Sequence, residues 1–226
     1  MKAVRLVTLG FLAGLFLTGG SSGPSKRDSF LRVDLDKFAD YRRIWAAKLE
    51  VTAFDCGRFV SLPPFDPESS VSMYSYKSDS GLRKYRITYI LAADNMWQAS
   101  DGVKYPEKAK SIRTTRVDLD MPESTALLLR NVWLRILQGD HPTESTTPRD
   151  RIPIDSPHFE WSLQRSNAPT LRVQDNFYVH PTPVAKLLED LSDVTLPAYC
   201  KAEPSKRPTI VRQIEAQASA LLKLSQ

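Results

Sequence analysis

What the chain has little of narrows its chemistry first. It has three histidines and two cysteines in 226 residues. It contains no GxGxxG, no GxxxxGK[ST], no HExxH and no CxxC, so the glycine-rich phosphate cradle and the common zinc frameworks are missing. No apolar run reaches the roughly 20 residues that a membrane-crossing helix needs. There is no block of basic charge either. Arg42-Arg43, residues 108–116 and Lys206-Arg207 are mixed with acids, polar residues and prolines, and the formal net charge is +5. That is too mild to argue for a nucleic-acid partner. No internal repeat or long low-complexity tract stands out. These absences leave an ordinary globular composition, 42% apolar and 25% charged, with no cofactor or metal implied.

What is present begins with an address. Lys2 and Arg5 precede an uncharged, largely apolar run over 6–17, followed by Thr18-Gly19-Gly20-Ser21-Ser22. Charge, apolar core and small residues in that order are the marks of a secretory signal peptide. Residues 1–20 are therefore expected to be removed, residues 21–30 to form a disordered leader, and residues 31–226 to fold as a single exported domain, secreted or periplasmic. Leu17-Thr18-Gly19 resembles the start of a bacterial lipoprotein cleavage box, but Gly20 stands where that pattern needs a cysteine. The resemblance therefore implies no lipid anchor. In an oxidising compartment Cys56 and Cys200 are expected to pair as a disulfide. Gly19-Gly20-Ser21-Ser22-Gly23 matches the GxSxG of hydrolases, yet it straddles the cleavage point instead of joining a strand to a helix.

The strongest pattern in the chain is over residues 122–140. At 100° per residue Leu128, Leu129, Val132, Trp133, Ile136 and Leu137 fill one half of a helical wheel, with Leu127 and Leu134 among the polar half. The spacing predicts a core helix, with Asp118 or Asp120 as its capping acid and Gly139 at its end. Leu35, Phe38, Tyr41, Trp45 and Leu49 predict a surface helix over 35–49, with Asp34 or Asp36 as its cap. Asp34-Leu35-Asp36 and Asp118-Leu119-Asp120 are also DxD pairs that could hold a hard cation on a strand, but capping is the plainer role.

Period-two alternation predicts the strands. A short one is expected over 58–62. A hairpin is expected over 71–77 and 83–92, with Asp79-Ser80-Gly81 at the turn and Ser75 facing Tyr85, Met73 facing Ile87 and Val71 facing Tyr89. Its polar face offers Tyr74 opposite Arg86 as a cation–π pair, although an exposed polar face is the simpler expectation. Residues 96–103 read as an irregular edge strand, 110–119 as another strand, and 139–151 as a long surface loop.

A second hairpin has Phe159, Trp161 and Leu163 on one side and His158, Glu160, Ser162 and Gln164 on the other. Residues 165–169 turn the chain. The return strand then places Arg172, Gln174 and Asn176 with the polar set, pairing 164 with 170, 162 with 172, 160 with 174 and 158 with 176. A diagonal Glu160–Arg172 pair follows from that register. Helices are expected over 183–191 and after Pro208, the last with Ile210, Val211, Ile214, Ala218, Leu221 and Leu222 inward.

Strands in two groups about one central helix indicate an α+β fold: two antiparallel hairpin groups in a sheet, packed on the central helix and on N- and C-terminal helices. The candidate binding surface is the polar hairpin face of His158, Glu160, Ser162, Gln164, Arg172, Gln174 and Asn176. The expected function is a non-catalytic binding or accessory module for a protein or a polar small-molecule ligand, without nucleic acid and without a stable membrane span. Two alternatives stand beside it, a secreted or periplasmic hydrolase using His158 and Glu160, and a purely structural envelope component. A His158–Glu160–His180 metal or acid–base site is disfavoured, because that register sets the two histidines roughly 13 Å apart along the strand, and His141 has no partner in sequence.

Overall fold

The computed structural model describes residues 39–139, 158–176 and 183–225. The signal peptide, the leader, the loop over 139–151 beyond Gly139, His141 and His180 lie outside the described residues, as do Asp34 and Asp36. Within them the fold is α+β, built on one antiparallel sheet of six strands. In chain order the elements are α1 (Ala39–Leu49), β1 (Gly57–Leu62), β2 (Ser69–Lys77), β3 (Arg83–Ala92), α2 (Met96–Ala99), α3 (Pro106–Ser111), β4 (Thr114–Met121), α4 (Glu123–Gln138), β5 (His158–Arg165), β6 (Ala168–Asn176), α5 (Pro183–Glu189), a π-helical turn (Asp190–Thr195), α6 (Leu196–Lys201) and α7 (Arg207–Leu224). The strand order is β4-β3-β2-β1-β5-β6. The two hairpin groups therefore lie side by side and are joined through β1.

The alternation seen in the sequence divides this sheet into an apolar and a polar face. Phe59, Val71, Met73, Tyr85, Ile87, Tyr89, Phe159, Trp161, Leu163 and Val173 share one side and pack against α4, α5, α6 and α7 in the main core. Phe59 lies 5.6 Å from Phe159 and 5.3 Å from Trp161, ring centre to ring centre, which joins the two hairpins through β1. α4 contributes Leu129, Val132, Trp133, Ile136 and Leu137, all buried, with Leu128 and Leu134 partly so. Each such side chain is worth about 1.5–3 kcal/mol on leaving water, so the wheel alone explains why this helix is central. One backbone position is shaped to it. Gly57 has φ +125°, and a Cβ there would lie 2.8 Å from the Trp133 ring. The same indole donates to Arg58 O at 3.1 Å.

Among the described residues, helices cover the other face at one end. Val60, Leu62, Ile90 and Ala92 meet Tyr41, Ile44, Trp45 and Leu49 of α1, together with Met96 and Ala109, in a second core. Glu68 ties this layer together. Its buried carboxylate accepts from Tyr41 Oη at 2.5 Å and from the N–H groups of Met96 and Trp97 at 2.7 and 3.1 Å.

Several expectations need correction. Residues 96–99 form a short helix in place of an edge strand, because Asn95 caps it by accepting the Gln98 N–H at 2.7 Å. The strand expected over 110–119 starts at Thr114, since Pro106 opens α3 just before it. α4 begins after Pro122 without a side-chain cap; Asp118 and Asp120 are strand residues held by arginines of the sheet. The second hairpin turns within Arg165–Ala168, not over five residues, and a bulge between Leu163 and Arg165 removes the 164–170 pair while keeping the other three. Asn167 supplies the positive φ that so tight a turn requires. Cys56 and Cys200 are free and buried, not joined. Cys56 donates its N–H to Met73 O on β2, whereas Cys200 lies on α6, which packs against β3 and β4.

Candidate functional site: the polar face of the sheet

One register row crosses all six strands on the polar face: Arg172, Ser162, Arg58, Ser72, Thr88 and Asp118. Every member is polar. Ser162, Arg58, Ser72 and Thr88 are buried, and a buried polar group costs free energy unless it is paired. The row divides the face into two regions with different chemistry.

The first region, on β1, β5 and β6, holds most of the residues expected from sequence. Glu160 is fully buried, and its Oε1 accepts from Arg58 Nη2 at 3.1 Å and Arg172 Nε at 3.2 Å. Arg42 of α1 approaches its Oε2 at 3.8 Å. Arg58, also buried, bonds Ser162 Oγ at 3.1 Å and Glu50 at 2.8 Å. The expected Glu160–Arg172 diagonal is therefore present, within a larger network that runs from β6 to α1. His158 is two residues along the same face, largely buried, and its Nδ1 has no hydrogen-bond partner among the described residues. Burial holds its pKa below the usual histidine value. Gln164 is exposed beyond the bulge and accepts the Phe54 N–H at 3.4 Å. Gln174 and Asn176 face Glu160 and His158 in the ladder, and their side chains lie outside the described residues. Ser162 and Glu160 are thus sealed structural groups, while Arg172, Arg42 and Glu50 reach the rim.

The second region, on β2, β3 and β4, escaped the sequence reading as a site. Arg86 stacks on Tyr76 with its guanidinium carbon 4.3 Å from the ring centre, so its aromatic partner is Tyr76 and not Tyr74 opposite. Tyr76 Oη donates to Asp120 at 2.8 Å, and Arg86 reaches the same carboxylate at 3.2 Å. Arg116 pairs with Asp118 at 2.8 Å, and Thr88 donates to Asp118. The bonds from Tyr76 and Arg86 hold the Asp120 carboxyl below its usual range, and those from Arg116 and Thr88 do the same for Asp118. Tyr74 packs its ring against the second core. The alternation Tyr74/Tyr76 beside Lys84/Arg86 was the available signal. That pattern alone does not mark a site, because a polar strand face ordinarily meets only water.

Between the regions Ser72 is completely buried, and its hydroxyl has no partner among the described residues. Among the described residues no group of three or more histidines, cysteines, aspartates or glutamates could hold a metal ion, and no helix is long and apolar enough to cross a membrane. A separate groove of about 480 Å³ lies between α1 and α3, lined by Ile44, Ala47 and Pro106 with Lys48 and Lys110 at its sides. No family model, curated protein or solved structure matches this chain.

Proposed function

We propose that this is an exported, non-catalytic binding module whose recognition surface is the polar face of the sheet, centred on Tyr76, Arg86 and Asp120 and reaching Arg172 at the rim of the buried Arg58–Glu160 network. The observation that carries the reading is the cluster of Tyr76, Arg86 and Asp120, beside the exposed Lys84 and Arg116, on strands that the described helices leave open. Tyrosine and arginine are the side chains that contribute most per residue to protein contacts, because they bring large rigid area with few rotors to freeze. On a sheet these groups are already ordered, so a partner pays little to organise them. An open face of paired charges suits a polypeptide of mixed charge better than an enclosed small molecule.

The hydrolase alternative is less favoured by the geometry. A general acid or base needs a carboxylate free to exchange a proton with substrate. Both oxygens of Glu160 face guanidinium groups, behind a sealed wall of strand and helix.

Site-specific photocrosslinking in the source cells tests the proposal. A crosslinker in place of Lys84, on the exposed face, is expected to capture a discrete partner, while one in place of Lys223 on α7 is not. Combining the Lys84 crosslinker with Tyr76→Ala and Arg86→Ala should abolish capture in a protein whose circular dichroism is unchanged. Capture that survives both substitutions, or hydrolytic turnover lost on His158→Ala, would overturn the reading.

A further inference from the structure

Among the described residues β4 is an outer strand of the sheet and is paired on one side only, to β3. Two bonds fix which way its backbone groups point. Ala93 donates its N–H to Arg113 O at 2.8 Å, one step beyond the ladder and in the same register, so the odd-numbered residues of this strand turn toward β3. Tyr199 of α6 donates its hydroxyl to Asp120 O at 2.9 Å, which places the even-numbered set on the outer edge. Among the described residues, none bonds the outward backbone groups of Thr114, Arg116 or Asp118.

An open edge of this kind is a template for another strand, and the side chains on it are self-complementary. Laid antiparallel against a second copy of itself about a two-fold axis at Val117, the edge sets Arg116 opposite Asp118 of the second copy, and Asp118 opposite its Arg116. Thr115 then meets Leu119, and Thr114 meets Asp120. Because residue 117 turns its backbone inward, the flanking 116–118 pairs are hydrogen-bonded, as are the outer 114–120 pairs where Asp120 O already accepts from Tyr199, so ion pairs and backbone bonds coincide at 116–118. Neighbouring registers match less well. An axis at Asp118 sets Arg116 against Asp120 twice but opposes two carboxylates at its centre, and one at Arg116 opposes two guanidinium groups. An axis at Leu119 sets Asp118 against Asp120, and one at Thr115 forms no ion pair. Opposite charges across strands favour a register and like charges disfavour it.

We propose that the protein self-associates through β4 into a two-fold dimer, in which two six-stranded sheets become one and their polar faces merge on the same side. The interface is isologous, as a closed two-fold requires. It is independent of the identity of any ligand.

Sedimentation velocity of the full chain over a concentration series tests this, with charge reversals chosen on exposed side chains. Wild type is expected to move from monomer to dimer as concentration rises. Arg116→Asp and Asp118→Arg each place like charges at both pairs and should remain monomeric. The double reversal restores complementarity and should recover the dimer, and an equal mixture of the two single variants should form a heterodimer. Unchanged circular dichroism establishes that each variant folds. A wild type that stays monomeric at its highest soluble concentration would overturn the proposal, as would single reversals that leave the dimer intact.

Discussion

The guanidinium of Arg58 lies 3.1 Å from the carboxylate of Glu160 on the neighbouring strand, with both side chains all but sealed from solvent at 1% and 0% exposure. Two charges taken out of water together cost several kcal/mol each, which their attraction and extra hydrogen bonds roughly repay. Glu50, Ser162 and Arg172 supply those extra bonds. Removing one partner leaves the other uncompensated. Glu160→Ala is therefore expected to destabilise the fold by about 3–5 kcal/mol, and Arg58→Met by a similar amount. The paired change Arg58→Met with Glu160→Met should recover most of that loss, because shape and burial are kept without an orphan charge. Urea unfolding of the three variants measures this. A double variant as unstable as the sum of the singles would show that the pair is not the coupled unit described.

Gly57 and Trp133 make a second sensitive contact. At φ +125° an L side chain is strained, and the added methyl would meet the indole at 2.8 Å. The ring has little freedom to yield, since its Nε1 is bonded to Arg58 O at 3.1 Å. Gly57→Ala should cost about 3 kcal/mol from backbone strain and overpacking together. Gly81, with φ +78° but open space around it, should lose only the smaller conformational part on the same change. Thermal melts of the two variants side by side separate the contributions.

How much of this was legible in the sequence depends on which force places each residue. Period two decided the faces, and the pairing of Met73 with Ile87 and Val71 with Tyr89 followed from the hairpin turn alone. In the second hairpin the parity survived an error in the turn, because a bulge absorbed the difference while His158, Glu160 and Ser162 kept their partners. The cover over the polar face was not legible. Arg58 sits in a six-residue strand too short to show that its charge points inward, and Arg42, which approaches Glu160, lies on a helix far from Glu160 in sequence. α2 and α3 have 4 and 6 residues, fewer than two turns, so no periodicity could identify them. The cysteine pairing failed for a related reason. Compartment and even count say nothing about which strand each thiol lies beside.

The thiols give a chemical check. Burial pushes both Cys56 and Cys200 up to about 12, and the thiolate is the reactive form. Native protein at mildly alkaline pH should therefore take up alkylating reagent slowly at both sites, and unfolded protein should take up two equivalents at once. Cys56→Ser and Cys200→Ser should melt at the same temperature with and without reductant. A wild-type melting point that falls on reduction would instead demonstrate a disulfide.

Acid should expose His158. Its folded pKa is depressed by burial, so the folded state binds the proton less readily than the unfolded chain does. The sign follows directly: the contribution to stability is fully present above the unfolded value near 6.5 and is lost as pH falls from there through the folded value. Asp118 and Asp120 act in the same direction but lower down. Their folded values lie below 3.8, so their contribution is present above that and fades only in stronger acid. Stability measured by urea titration should thus fall in two stages on acidification. His158→Gln should flatten the upper stage and leave the lower one intact, whereas Asp118→Asn with Asp120→Asn should do the reverse. An upper stage that persists in His158→Gln would assign it to another group.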